Sequence, residues 1–107
     1  LTQVKLQNKA GNFVTANATT SSEGLSRIKL DDKLRGTNAN PGGANSYPIV
    51  SLTWVLANPE SRTGIKNMLR YMVSEESQAL SDSLGFVPLP EDLRQKSLAV
   101  VETISEI

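Results

Sequence analysis

The stretch LRGTNANPGGANSYPIVSLTWVL, residues 34–56, passes abruptly from turn-forming glycine, asparagine and proline into a nearly continuous apolar run. From Ile49 to Leu56 only Ser51 and Thr53 interrupt the apolar character. A short apolar run bounded by turn residues predicts a strand covered on both faces, as in the centre of an α/β layer. The polar half, GTNANPGGANS, admits two readings. Its glycines can present backbone N–H groups to an anion, or the loop is a plain connection that Pro48 stiffens before the strand begins. The connection is preferred, because the loop lacks the strand–GxxxxGK[ST]–helix context of a phosphate loop and holds no lysine.

Working outward, residues 1–14 read as two short strands around a turn. Val4 and Leu6 alternate with Lys5 and Gln7, NKAGN bends the chain, and Phe13-Val14 resumes it. The polar loop 15–24 ends in helix-start chemistry. Ser21 or Ser22 is expected to cap a short helix carrying Leu25, Ile28 and Leu30, with Gly24 in its first turn. Asn17-Ala18-Thr19 matches the glycosylation sequon, a pattern common by chance and given no weight.

Downstream of the apolar run, Asn58-Pro59-Glu60 breaks the chain and Ser61 can cap a helix. Ile65, Met68, Leu69, Met72 and Val73 then fall at i, i+3, i+4, i+7 and i+8, the spacing of one buried helix face. A further helical pattern runs from Ser74 to Leu84, with Gly85 placed for a left-handed cap. Phe86–Leu89 is expected to be extended ahead of its prolines. Pro90, Glu91 and Asp92 suit the first turn of a last helix through Leu93, Leu98, Val101 and Ile104.

At 107 residues the chain is one domain's length. With 38% hydrophobic and 21% charged residues it has the composition of a globular protein. Eleven basic residues balance eleven acidic ones, which removes the electrostatic reason to expect nucleic acid or an anionic membrane as partner. There is no cysteine and no histidine, so thiolate chemistry, disulfides and the commonest general base and metal ligand are missing. No apolar run approaches the roughly 18–20 residues of a membrane helix. Leu1 is not an initiator methionine and no signal peptide follows it, so the chain reads as processed or truncated.

Two pieces in this order, LRGTNANPGGANSYPIVSLTWVL and, after one helix, LGFVPLPEDLRQKSL, resemble the C-terminal end of the phosphate-binding proteins of bacterial ABC uptake systems. NKAGNFV near the start fits the same pattern, and the resemblance runs through essentially the whole chain. It implies an α/β fold: the C-terminal part of a type II periplasmic-binding-protein, or Venus-flytrap, architecture. On that reading residues 1–46 are the tail of the second lobe, 47–48 the interlobe crossover, and 49–107 the strand and helices completing the first lobe. The crossover is the expected hinge, since closure is absorbed at such transitions. The resemblance further implies a periplasmic or cell-surface location. The partners it implies are inorganic phosphate, an ABC permease and the remainder of the same receptor.

It also implies that the phosphate ligands lie almost entirely upstream of the residues represented here. None is carried onto a position of this chain, and no catalytic, cofactor-binding or metal residue is assigned. Arg35 reads as loop-bracing or solvated rather than anion-binding. Ser51 and Thr53 read as satisfying groups between packed layers. Asp31/Asp32 and Glu75/Glu76 read as solvated surface, and Trp54, Met68 and Met72 as core. Two function classes stand: solute capture as part of a phosphate or related oxyanion receptor, and an interaction or structural module that kept the receptor's end without its ligand site. An enzyme is disfavoured, because no nucleophile–base pair can be assembled.

Overall fold

A computed structural model describes all 107 residues. It is a mixed α/β structure: β1 (Leu6–Gln7), β2 (Phe13–Val14), α1 (Ala18–Leu25), β3 (Glu60–Ser61), α2 (Thr63–Met72), α3 (Glu75–Ala79), α4 (Glu91–Glu102) and β4 (Ser105–Glu106). β1 and β2 form the expected antiparallel hairpin, with Leu6 opposite Val14 and Gln7 opposite Phe13. Gly11 takes the turn at φ 89°, a region open to glycine. β3 and β4 pair in parallel, Glu60 with Ser105 and Ser61 with Glu106.

The first helix starts earlier than expected. Asn17, not Ser21 or Ser22, is its cap: Asn17 Oδ1 accepts from the Thr20 N–H at 2.9 Å, and Thr20 Oγ1 accepts from the Asn17 N–H at 3.3 Å. This is a capping box in which threonine replaces the usual Glu or Gln. Gly24 therefore falls in the last turn, where it permits a close approach. A Cβ there would stand 3.0 Å from the Tyr47 carbonyl and 3.1 Å from Val50 Cγ1. Leu25 is buried at the end of α1 and Ile28 just beyond it.

The apolar run is the main departure. Ile49–Leu56 forms no strand, because the chain offers it no partner: each of its strands is only two residues long and is already paired. Val50 and Leu52 pack against Leu25, Ile28 and Leu93, while Ile49, Ser51 and Thr53 face outward, so the segment is covered on one side rather than two. Trp54 is 45% exposed rather than core. Its indole Nε1–H donates to the Leu34 carbonyl at 2.7 Å, where Leu34 holds φ 61°. Ser51 and Thr53 are exposed and bridge no layers.

α2 is present, but Ser61 lies in β3 and Arg62 occupies the cap position without a side-chain bond. Only part of its apolar stripe faces inward. Lys66 and Leu69 are buried against α4, whereas Ile65, Met68 and Met72 are exposed, which corrects the placement of both methionines in a core. The pattern 74–84 divides into α3, capped by Ser74 Oγ accepting from the Ser77 N–H at 3.2 Å, and a 3-10 turn at Asp82–Leu84. Gly85 closes that turn at φ 81°, the expected left-handed cap. α4 starts after Pro90 with Glu91 and Asp92 in its first turn and stops at Glu102, so Ile104 is buried beyond the helix rather than on it.

α4 joins two small cores. Leu93 near its start packs with Leu25 and Ile28, and Val101 near its end packs with Leu69 and Ile104. The radius of gyration is 15.5 Å and the extents are 50 × 28 × 19 Å. A compact chain of this length has a radius of about 13 Å. The excess places the two cores along an elongated body.

Candidate functional site

The Gly/Asn loop is the candidate singled out by the sequence, and its geometry decides between anion nest and connection. Asn8, buried in the hairpin, donates from Nδ2 to the Gly43 and Ala44 carbonyls at 3.3 and 2.8 Å. Asn12 Nδ2 adds a bond to the Ala44 carbonyl at 2.9 Å. Ser46 is fully buried and donates from Oγ to the Gly42 carbonyl at 2.6 Å. Further along, the Tyr47 N–H donates to the Thr20 carbonyl at 3.0 Å, and the Asn40 N–H to the Pro48 carbonyl at 3.2 Å. Gly43 holds φ 115°, and a Cβ added there would come within 2.8 Å of Glu23 Oε1. The loop is thus fastened largely through its carbonyls, with both the Glu23 carboxylate and the Arg27 guanidinium beside Gly43. Fastened carbonyls make a connection, whereas an anion cradle is built from convergent N–H groups.

Three of the arginines are likewise engaged. Arg35 Nε sits 2.9 Å from Asp31 Oδ2, bracing the turn ahead of the loop. The Arg35 N–H bond to the Asp31 carboxylate, helped by that guanidinium, holds the Asp31 carboxyl below its usual range. Arg70 grips Glu102 through two bonds of 2.6 and 2.9 Å. Arg94 is buried and grips Glu91 at 2.9 and 2.7 Å, while also donating to the Val73 carbonyl at 3.2 Å and to Glu75 at 3.3 Å. Glu75 is therefore an ion-pair member as well as a surface residue. Bidentate pairs of this type are geometrically specific, so the forks of Arg70 and Arg94 are occupied.

The Arg94 bonds, then one from Gln95, lower the Glu91 carboxyl from 4.5 to about 2. Because the folded value is depressed, its stabilisation is complete above pH 4.5 and is lost as pH falls toward about 2. Urea titrations between about pH 6 and pH 2.5 are expected to show a steeper loss of stability for the natural chain than for Glu91→Gln. Parallel curves would mean the pair is equally formed in the unfolded chain.

Two open grooves remain. One of about 390 Å³ lies between the start of α1 and the Asp82–Val87 turn, with Asp82 its one charged side chain. The other, about 510 Å³, is lined by Lys29, Leu30, Asp92, Leu93 and Lys96 among others. There the Lys96 ammonium already donates to the Leu30 carbonyl. Lys29 shares that groove with the Asp92 carboxylate. No group of three or more acidic side chains converges as a metal site would require. No helix is long and apolar enough to cross a membrane.

No protein-family profile matches the chain. It is similar to the phosphate-binding protein PstS of Methanocaldococcus jannaschii, 29% identical over 119 aligned residues that cover 94% of this chain. The chain spans 30% of that relative's length. The relative is named for binding, not for catalysis. The likeness therefore relates the chain to part of a phosphate-binding protein.

Proposed function

We propose that the chain is the C-terminal part of a receptor that captures inorganic phosphate and delivers it to an ABC permease from a periplasmic or cell-surface position. The observation that carries this reading is the similarity to PstS across 94% of the chain. In this reading the fold is the last part of a type II periplasmic-binding-protein architecture. Residues 1–46 end the second lobe, 47–48 cross between lobes, and 49–107 complete the first. Capture is lobe closure, with no covalent step. The chain's own contribution is to carry the crossing and hold the lobes in register, with Arg35, Arg70, Arg94 and the loop carbonyls engaged internally.

Calorimetric titration with inorganic phosphate tests the proposal on two samples, the 107-residue chain and the complete polypeptide encoded by its gene. The expected result is saturable binding by the complete polypeptide, exclusion of sulfate, and no heat from the shorter chain. Discrimination between the two anions follows from an acceptor that only protonated phosphate can satisfy. Saturable binding by the shorter chain would place the site within these residues and overturn the assignment. A complete polypeptide that ignores phosphate would leave the interaction-module reading in its place.

A further inference from the structure

Asn17-Ala18-Thr19 is the single Asn-x-Ser/Thr triplet in the chain. As sequence alone it carries no weight, but its setting in the fold is specific. Asn17 is exposed and extended, in the connection between β2 and α1. Its side chain is engaged at one end only. Oδ1 accepts from the Thr20 N–H at 2.9 Å, which fixes the orientation of the amide and leaves Nδ2 without an acceptor. Thr19 is exposed as well. The hydroxyl that turns back to the Thr15 carbonyl, at 2.6 Å, belongs to Thr20, so that of Thr19 stays free. Asn17 itself lines the open groove of about 390 Å³, together with Gln3, Ser21, Asp82 and Phe86. Phe86 is 68% exposed there. A sugar on the Asn17 side chain therefore has room. It would meet amide, hydroxyl and carboxylate groups for its hydroxyls and an aromatic ring for its apolar face.

We propose that Asn17 is an N-glycosylation site. This rests on the periplasmic or cell-surface location in the receptor reading above. The co-reactant is a lipid-linked sugar phosphate, brought by a membrane glycosyltransferase. Asn17 Nδ2 attacks the anomeric carbon and a C–N bond forms. The bond from that carbon to the phosphate oxygen breaks, and its electron pair leaves on the lipid phosphate. The proton lost from Nδ2 passes to a base of the transferase. The product is a neutral amide that keeps its carbonyl oxygen, so the modified residue still caps α1. Capping and modification use opposite ends of one side chain, and neither excludes the other.

Mass spectrometry of the complete polypeptide encoded by the gene, purified from its native cells with the cellular fraction recorded, tests the proposal. Cleavage after Lys9 and Arg27 releases Asn17 in one peptide. That peptide is expected to carry an added sugar mass that fragmentation places on Asn17. Two variants separate acceptor from cap. Asn17→Asp keeps a capping oxygen and removes the acceptor nitrogen. Ala18→Pro destroys the triplet, yet proline suits the first position of a helix and the extended residue before it. Both are expected to lose the sugar completely while circular dichroism stays that of the natural chain. An unmodified Asn17 in the natural polypeptide overturns the proposal, as does a sugar that survives Ala18→Pro. Phosphate titration of the same sample keeps the two readings apart. A phosphate-binding polypeptide outside the cytoplasmic membrane with Asn17 bare loses the glycan alone. A glycosylated polypeptide that ignores phosphate keeps the site and loses the receptor. Recovery from the cytoplasm with Asn17 bare removes both the location and the glycan.

Discussion

Leu93→Ala is expected to leave the chain largely unfolded at room temperature. Leu93 is 4% exposed and is one of only three fully buried members of the first core, with Leu25 and Ile28. Around it gather Leu30, Val50, Leu52, Val87 and Leu89, so one side chain fastens α1, the apolar run and the turn before α4. Truncating a buried leucine to alanine costs about 2–5 kcal/mol, more where neighbours cannot collapse into the space. Only 14 of 107 residues are buried, which puts total stability at or below the usual lower bound of about 5 kcal/mol. A loss of the expected size therefore consumes most of it. Urea titration followed by circular dichroism gives the test, with Leu93→Met as a volume-conserving control costing below about 1.5 kcal/mol. A Leu93→Ala midpoint close to the natural one would show that the first core contributes little and that the chain is held elsewhere.

The same sparse cores explain which parts of the fold were legible in the residues. Where a feature is set by a few neighbours in sequence, the reading and the structure agree. The NKAGN hairpin, the Gly85 cap and the Glu91–Asp92 helix start all depend on local turn chemistry and the helix dipole. Asn17 carries a local signal too, since Asn-x-x-Thr over Asn17–Thr20 forms the reciprocal cap, although the expected caps were Ser21 or Ser22. Where burial depends on a remote partner, periodicity indicates which face is apolar and not what lies against it. Ile65, Met68 and Met72 form a correct apolar stripe, yet α4 is met by Lys66, Leu69 and Arg70 instead. Trp54 and the run around it find no strand partner within these residues, so their apolar character did not predict their exposure. Arg94 gave no pattern at all. Its burial follows from a fork that satisfies Glu91, Glu75 and the Val73 carbonyl together, a tertiary coincidence of α3 and α4. The Gly/Asn loop was ambiguous in sequence because glycine and asparagine serve nests and tight connections equally. The deciding groups, Asn8 and Asn12, lie far earlier in the chain.

Lys66→Ala is expected to release the C-terminal strand and to cost about 2–4 kcal/mol, by the scale of hydrogen bonds made by charged donors. The ammonium is held among backbone acceptors: it donates to the Glu102 carbonyl at 3.2 Å and to the Ile104 carbonyl at 2.9 Å. The first is an unpaired carbonyl at the end of α4, where a cation also meets the negative end of the helix dipole. The Glu102 and Glu106 carboxylates stand farther off, at 3.9 and 4.0 Å, so the carbonyl bonds dominate and the ion pairs add little. Beyond Ile104 the chain turns into β4, whose Ser105 N–H meets the Pro59 carbonyl and whose neighbour Ile107 meets that of Ser61 at 3.1 Å. Lys66 therefore ties the end of α4 and β4 to α2. Removing it leaves two carbonyls facing a gap beside Leu69, Val101 and Ile104. Lys66→Met keeps the aliphatic stem and removes only the donor, which separates packing from hydrogen bonding. If the carbonyl bonds carry the effect, both variants lose amide protection at Ser105 and Ile107 and unfold at lower urea. If Lys66→Met matches the natural chain, the stem supplies the stabilisation by covering the second core, and water replaces the ammonium at no net cost.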